Sequence, residues 1–195
     1  MASFEKAYNR TLRHEGGYAD HHLDRGGQTW KGIARNYHPN WPGWVIVDKY
    51  TTQKLSLKML NKVLSEDTNL DAMVGSFYKI GFWDINKLDN IESQWLADNI
   101  FDASVNCGVR MGPIFLQRAI NRLYPANLVT DGILGNKSFD ALIKTIEQLG
   151  EDKLVNTYVD VRKEYHYKIV ANNPSQKVFI KNWIGRCENM RKKVV

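Results

Sequence analysis

The run His14-Glu15-Gly16-Gly17-Tyr18, followed by Asp24-Arg25-Gly26-Gly27-Gln28-Thr29-Trp30-Lys31-Gly32-Ile33, decides how the rest of the chain reads. Ahead of it, Phe4, Ala7, Tyr8 and Leu12 recur at helical spacing, which predicts a helix over 3–15 that Gly16-Gly17 terminates. Glu15 stands 11 positions beyond Phe4, close to three full helical turns, so it falls on the apolar face. It also occupies the last turn. Partial burial and the negative helix end both disfavour the charged carboxylate there. An acid kept protonated near neutral pH is a proton donor. An exposed glutamate at a frayed helix end would have the same sequence, and the geometry leaves both readings open.

Asp24 follows Glu15 by nine positions and Thr29 follows Asp24 by five. The intervening glycines allow the backbone to double back and return these groups towards the helix end. A helix-borne Glu with Asp and Thr on a hairpin makes a set able to protonate a leaving oxygen and hold an attacking water. Residues 18–50 also contain Pro39, Pro42, Gly43 and the β-prone run Trp44-Val45-Ile46-Val47, so turns and a small hairpin or irregular sheet are expected.

From Thr52 onward helical stripes dominate. They are Leu55-Met59-Leu60-Val63-Leu64, Leu96-Ile100-Ala103-Cys107, Leu116-Ala119-Ile120-Leu123, Leu154-Tyr158-Val161-Tyr165-Ile169 and Ile180-Trp183-Ile184-Cys187. Gly108 and Gly112-Pro113 are expected to separate two helices, and Asn172-Asn173-Pro174 the last two. The fold class is mainly α, with a small early β element and a helical C-terminal lobe. The polar stretch Asp84–Ser93 is the expected lobe boundary, dividing the chain into 1–92 and 93–195.

Glu-Gly-Gly-Tyr followed by Asp-x-Gly-Gly-x-Thr-x-x-Gly-Ile resembles the signature of glycoside hydrolase family 108. These are bacterial and phage N-acetylmuramidases, some first described as secretion activators. The resemblance continues through Phe77-Tyr78, Phe82-Trp83-Asp84 and Asp102–Gly108, and residues 131–142 resemble the Asp-Gly-x-x-Gly motif of peptidoglycan-binding domains. It implies a lysozyme-like α+β fold and hydrolysis of the β-1,4 bond between N-acetylmuramic acid and N-acetylglucosamine. Glu15 would be the catalytic acid, and the order Glu, Asp, Thr, shared with phage-type lysozymes, implies supporting roles for Asp24 and Thr29. A binding module without catalysis, or a lytic transglycosylase, is the alternative. His21-His22 depart from the plainer turn residues expected there.

Flat sugar faces favour aromatic platforms, so Tyr18, Tyr78 and Trp83 are candidate substrate-binding residues, as are Asp102 and Asn106, which share a helical face at i, i+4. The same aromatics, with Trp30, Trp41 and Trp44, would serve equally as core, and Asp102 and Asn106 as partners within a buried turn.

The net charge is +6, and residues 177–195 hold six Lys/Arg against Glu188 alone. Such a tail suits a polyanion or a solvated helix face. No helix-turn-helix or zinc pattern marks a nucleic-acid binder. His14-Glu15 opens a zinc-protease motif only if position 18 is histidine, and it is Tyr18. No metal and no cofactor is implied, and a monomer is assumed. Cys107 and Cys187, 80 positions apart among apolar residues, read as buried free thiols. No apolar run reaches the roughly 20 residues of a membrane helix, and no signal peptide is evident. The expectation is synthesis in the cytoplasm and action on the cell wall after release or export by another factor.

Overall fold

The computed structural model describes residues 1–12, 16–21 and 26–192. The chain divides into two compact units, Tyr8–Ile80 and Met1–Ala7 with Gly81–Val195.

In the unit Tyr8–Ile80, the residues from Tyr8 to Leu12 form the second half of helix α1 (Phe4–Leu12). A hairpin follows, β1 (Thr29–Trp30) and β2 (Ile33–Ala34), antiparallel with Trp30 opposite Ile33 and Thr29 opposite Ala34. Its two turn residues, Lys31 and Gly32, have φ of +43° and +80°. Two left-handed residues in succession give the turn whose twist matches the flanking strands. The other edge of Thr29 bridges Ala19 through reciprocal N–H···O=C bonds of 2.8 and 3.0 Å.

Three helices follow: α2 (Trp44–Thr51), α3 (Leu57–Glu66) and α4 (Thr68–Tyr78). Helix α2 corrects one expectation, because Trp44-Val45-Ile46-Val47 forms its first turn rather than part of a sheet. Trp44 and Val47, three apart, are buried while Val45 is exposed, so burial follows the helical period. β-propensity is a weak preference that packing overrides. The Ser56 side chain caps α3 at the Met59 N–H, and Asp67 caps α4 at the Leu70 N–H.

In the other unit, the N-terminus is tied down by Ala2 N–H to Ile91 O (2.8 Å) and by Ser3 N–H to Gln94 Oε1 (2.7 Å). Phe4 then packs edge-on against Trp83 and Phe101, at 5.8 Å each. A π-helical turn, Lys79–Asp84, and a 3-10 turn, Leu88–Asn90, lead to α5 (Gln94–Cys107). Every residue of α5 from Leu96 to Ser104 is buried. This is more than the expected single stripe, and it is the signature of a helix enclosed by others. The enclosing helices include α6 (Met111–Leu123) and α8 (Glu151–Asn172), with α7 (Asn136–Leu149) and α9 (Ile180–Asn189) packed on α8.

Gly108 ends α5 at φ +108°, as expected, but Gly112-Pro113 lies inside the first turn of α6 instead of in the connection. Proline is tolerated there because first-turn N–H groups have no helical acceptor. Gly112 is where α5 and α6 meet: a Cβ on it would lie 2.3 Å from Ile100 O and 2.3 Å from Ser104 Oγ.

The basic C-terminal segment is heavily engaged with acids. Arg191 pairs with Glu188 (2.7 Å) and Asp160 (2.5 Å), and Lys192 with Asp152 (2.6 Å) and Glu151 (3.2 Å). Hydrogen bonds from Arg191 and Lys163 hold the Glu188 carboxyl down at about 2.

Candidate active site

Of the three expected catalytic groups, Glu15 and Asp24 lie outside the described residues; so does His22 of the His21-His22 pair. The third, Thr29, sits half-buried on β1 between two backbone partners, Ala34 on one side and Ala19 on the other. Its hydroxyl donates to Gly27 O at 3.3 Å, and Gly27 itself needs its left-handed φ of +65°. The threonine backbone is therefore fixed on both edges while its side chain keeps acceptor capacity.

Tyr18 is held twice. Its N–H donates to Asn61 Oδ1 at 2.7 Å, and Asn61 Nδ2 in turn donates to Leu57 O at 3.0 Å. The approach is close enough that a Cβ on Gly17 would fall 1.9 Å from Asn61 Oδ1. Helix α3 thus clasps the backbone just after Gly16-Gly17, which explains a glycine at position 17. The Tyr18 phenol accepts from Gln28 Nε2 (2.9 Å) and donates to Asp20 Oδ2 (3.4 Å). Gln28 Oε1 accepts from Arg35 (2.6 Å), and Arg35 forks onto Asp48 with bonds of 2.6 and 2.8 Å. The Arg35 guanidinium also lies 5.1 Å from the centre of the Trp44 ring.

This chain Asp20–Tyr18–Gln28–Arg35–Asp48 runs along the hairpin. Partial burial, then the Asp20 charge, push the Tyr18 phenol above its ordinary pKa, so it stays a neutral donor and acceptor. The Arg35 hydrogen bonds hold Asp48 below the usual carboxylate range. The arrangement can orient one hydroxyl-bearing ring beside the Thr29 strand.

Sequence reasoning named Tyr18 and Thr29 but not Gln28, Arg35, Asp48 or Asn61. Gln28 was visible as a variable position inside the motif. Asn61 sits on α3 with no local mark, because its partner is 43 positions away.

The remaining expected substrate contacts lie elsewhere. Tyr78, the last residue of α4, is buried and donates its hydroxyl to Lys31 O at 2.8 Å, tying α4 to the hairpin turn. Trp83 is 0% exposed, donates its indole N–H to Asp89 Oδ1 at 2.8 Å and packs on Phe4 and Phe101. Asp102, 2% exposed, is gripped by Arg162 at 2.6 Å and by Arg186 at 2.7 Å. Asn106 is exposed and donates to the Asp102 backbone O at 2.7 Å. A sugar reaches Trp83 or the Asp102 carboxylate only if the helical packing opens. Trp30, Trp41 and Trp44 are buried too. Among the described residues no cluster of three His, Cys, Asp or Glu could hold a metal ion, and no helix is long and apolar enough to cross a membrane.

Residues 8–108 match the family model described as "Glycosyl hydrolase 108", just over half of the chain, and residues 112–188 match one described as "Predicted Peptidoglycan domain". No curated protein matches the sequence. Among solved structures, Brucella abortus SagA is similar at a TM-score of 0.62 and 21% identity, over 96% of this chain and 91% of that chain. At that identity the likeness is one of fold, and it agrees with the mainly helical, lysozyme-like architecture with its small antiparallel sheet.

Proposed function

The chain belongs to glycosyl hydrolase family 108, a peptidoglycan hydrolase of lysozyme type with a peptidoglycan-binding domain, and from that premise we propose that it is an N-acetylmuramidase. The bond cut is the β-1,4 link between N-acetylmuramic acid and N-acetylglucosamine. Glu15 protonates the leaving oxygen, while Asp24 and Thr29 hold the attacking water on the opposite face of the sugar. Water attack from that side inverts the anomeric carbon, and inverting enzymes hold their carboxyls roughly 6.5–9.5 Å apart. Tyr18, oriented through Gln28 and Asp20, contacts the glycan beside Thr29. Catalysis belongs to residues 1–92 and wall binding to 93–195.

The observation that carries this reading is the match over residues 8–108, which contains the whole ordered run from Glu15 to Ile33. The test is clearing of purified peptidoglycan by the wild type and by Glu15→Gln, each confirmed folded by circular dichroism. Loss of a general acid lowers the rate roughly 10²–10⁴-fold. Clearing by both at one rate removes Glu15 from the chemistry. Binding without clearing by either makes the chain a wall-binding module, and anhydro-muramic ends among the products replace hydrolysis with transglycosylation.

A further inference from the structure

The polar chain along the hairpin has a direction, fixed by which of its atoms can donate and which can accept. Arg35 only donates, because a guanidinium has five N–H groups and no acceptor. Its fork onto Asp48, at 2.6 and 2.8 Å, and its seat 5.1 Å from the centre of the Trp44 ring hold it in one place. The same guanidinium donates to Gln28 at 2.6 Å, so the atom that Gln28 turns towards it is Oε1. That leaves Nε2 facing the Tyr18 phenol, 2.9 Å away. An amide nitrogen donates and does not accept, so the phenol oxygen is the acceptor of this bond. The Tyr18 proton is thereby turned away from Gln28.

Within the protein that proton is held slackly. It goes to Asp20 Oδ2 at 3.4 Å, well beyond the roughly 2.7–2.8 Å usual for O–H···O, and Asp20 is exposed. Burial and then the Asp20 charge raise the phenol pKa, so the proton stays on Tyr18. The backbone beneath the half-buried ring is fixed by the Tyr18 N–H bond to Asn61 at 2.7 Å. A neutral O–H aimed by a firm partner on one side and loosely bound on the other is a donor that a ligand takes over at little cost.

We propose that Gln28 and Arg35 are positioning residues that aim the Tyr18 O–H at an acceptor oxygen of the glycan, with Asp48 and Trp44 anchoring Arg35. This rests on the reading that Tyr18 contacts the glycan beside Thr29. It makes the tyrosine a hydrogen-bond donor there and not an apolar platform alone. The residues that set the direction, Arg35 and Asp48, lie beyond the run Glu15–Ile33.

The experiment compares Gln28→Glu, Gln28→Met, Tyr18→Phe and the double variant Gln28→Glu/Tyr18→Phe in the full chain, each checked by circular dichroism. Glutamate keeps the length and an oxygen for Arg35, but its second oxygen accepts, so it takes the phenol proton from the glycan. Methionine breaks both bonds and leaves the proton free. Initial rates of reducing-end release from soluble, uncrosslinked peptidoglycan strands separate kcat from KM. Gln28→Glu should raise KM roughly three- to tenfold, as much as Tyr18→Phe, and the double variant should be no worse than either. Gln28→Met should fall between the wild type and Gln28→Glu. A purely structural role gives the opposite order, since glutamate retains the Arg35 bond and methionine loses it. A wild-type KM in Gln28→Glu, a larger loss in Gln28→Met, or losses that multiply in the double variant each overturn the proposal. If Gln28→Glu does not fold, Arg35→Met replaces it: freeing the amide to turn its oxygen to the phenol should raise KM, and an effect that persists with Tyr18→Phe overturns the proposal. A pH titration of ¹³Cζ-labelled tyrosine, with Tyr18 assigned by its loss in Tyr18→Phe, reads the bond without substrate. The Tyr18 phenol should titrate higher in Gln28→Glu than in Gln28→Met, and equal values overturn the direction of the bond. The muramidase reading falls separately, if the wild type releases no reducing ends.

Discussion

Thr29 has a backbone committed on both edges and a hydroxyl that the proposed chemistry uses to hold water. The two roles separate cleanly by substitution. Thr29→Val keeps the β-branch and the strand pairing but removes the hydroxyl, so turnover on peptidoglycan should fall roughly 10²-fold with little change in stability. Thr29→Ser should restore most of it. Equal activity in all three, measured as release of reducing ends, would remove the hydroxyl from the mechanism. At His166 the single residue sets a pH dependence. Its pKa falls from 6.5 in the unfolded chain to about 4 when folded, so between those values the unfolded state binds the extra proton. The His166 contribution to stability should therefore fall as pH drops from 6.5 to 4, by at most about 3 kcal/mol, while protonation of the depressed Glu188 carboxyl adds a further loss below about 4.5. Denaturant melts across this range should show the slope in the wild type and lose most of it in His166→Gln.

Among the elements, the contact of α5 with α6 has the least room. Gly112→Ala would press a methyl group onto the Ile100 carbonyl, which is backbone and cannot move aside like a flexible side chain. A loss of about 1–3 kcal/mol is expected. Gly75 in α4 is the contrasting case, since a Cβ there meets nothing within 4 Å. Gly75→Ala should gain roughly 0.5–1 kcal/mol through helix propensity alone. Urea titration of both variants, read by far-ultraviolet circular dichroism, tests the pair; a stabilised Gly112→Ala would refute the close approach. The hairpin shows how much of this scale is local. A small hairpin is expected within 18–50, and it appears with its turn at Lys31-Gly32. Trp44–Val47 announces a strand by side-chain type and becomes helix, because tertiary burial selects Trp44 and Val47 on one face.

For the molecule as a whole, the buried ion pair is the feature with the largest stake. Arg162 and Asp102 are 1% and 3% exposed in their side chains and sit 2.6 Å apart. Removing one member leaves the other charge buried, so Asp102→Asn should cost about 3–5 kcal/mol. A thermal melt within a degree or two of the wild type would show that the Arg162 charge finds another partner. Of the six C-terminal positive charges, Arg186, Arg191 and Lys192 are engaged with Glu188, Asp160, Asp152, Glu151 and Asp102. These three tie α9 and the two residues 191–192 to α5 and α8.

The sequence by itself determined the helical stripes, the glycine-coded turn and the ordered run from Glu15 to Ile33, on which the family and its chemistry depend. These rest on steric preference and on periodicities read between neighbours, so near residues suffice to show them. Only the tertiary structure decided which polar residues meet. Asp102 finds Arg162 and Arg186 at separations of 60 and 84 residues, and Tyr18 finds Asn61 at 43. Such partners are chosen by the packing of whole helices, and no local pattern encodes them. The same limit made Trp83 and Asp102 legible as glycan contacts or as core with equal ease. An indole or a carboxylate looks identical in sequence whether it faces solvent or a buried arginine, and only the enclosure of α5 separates the two.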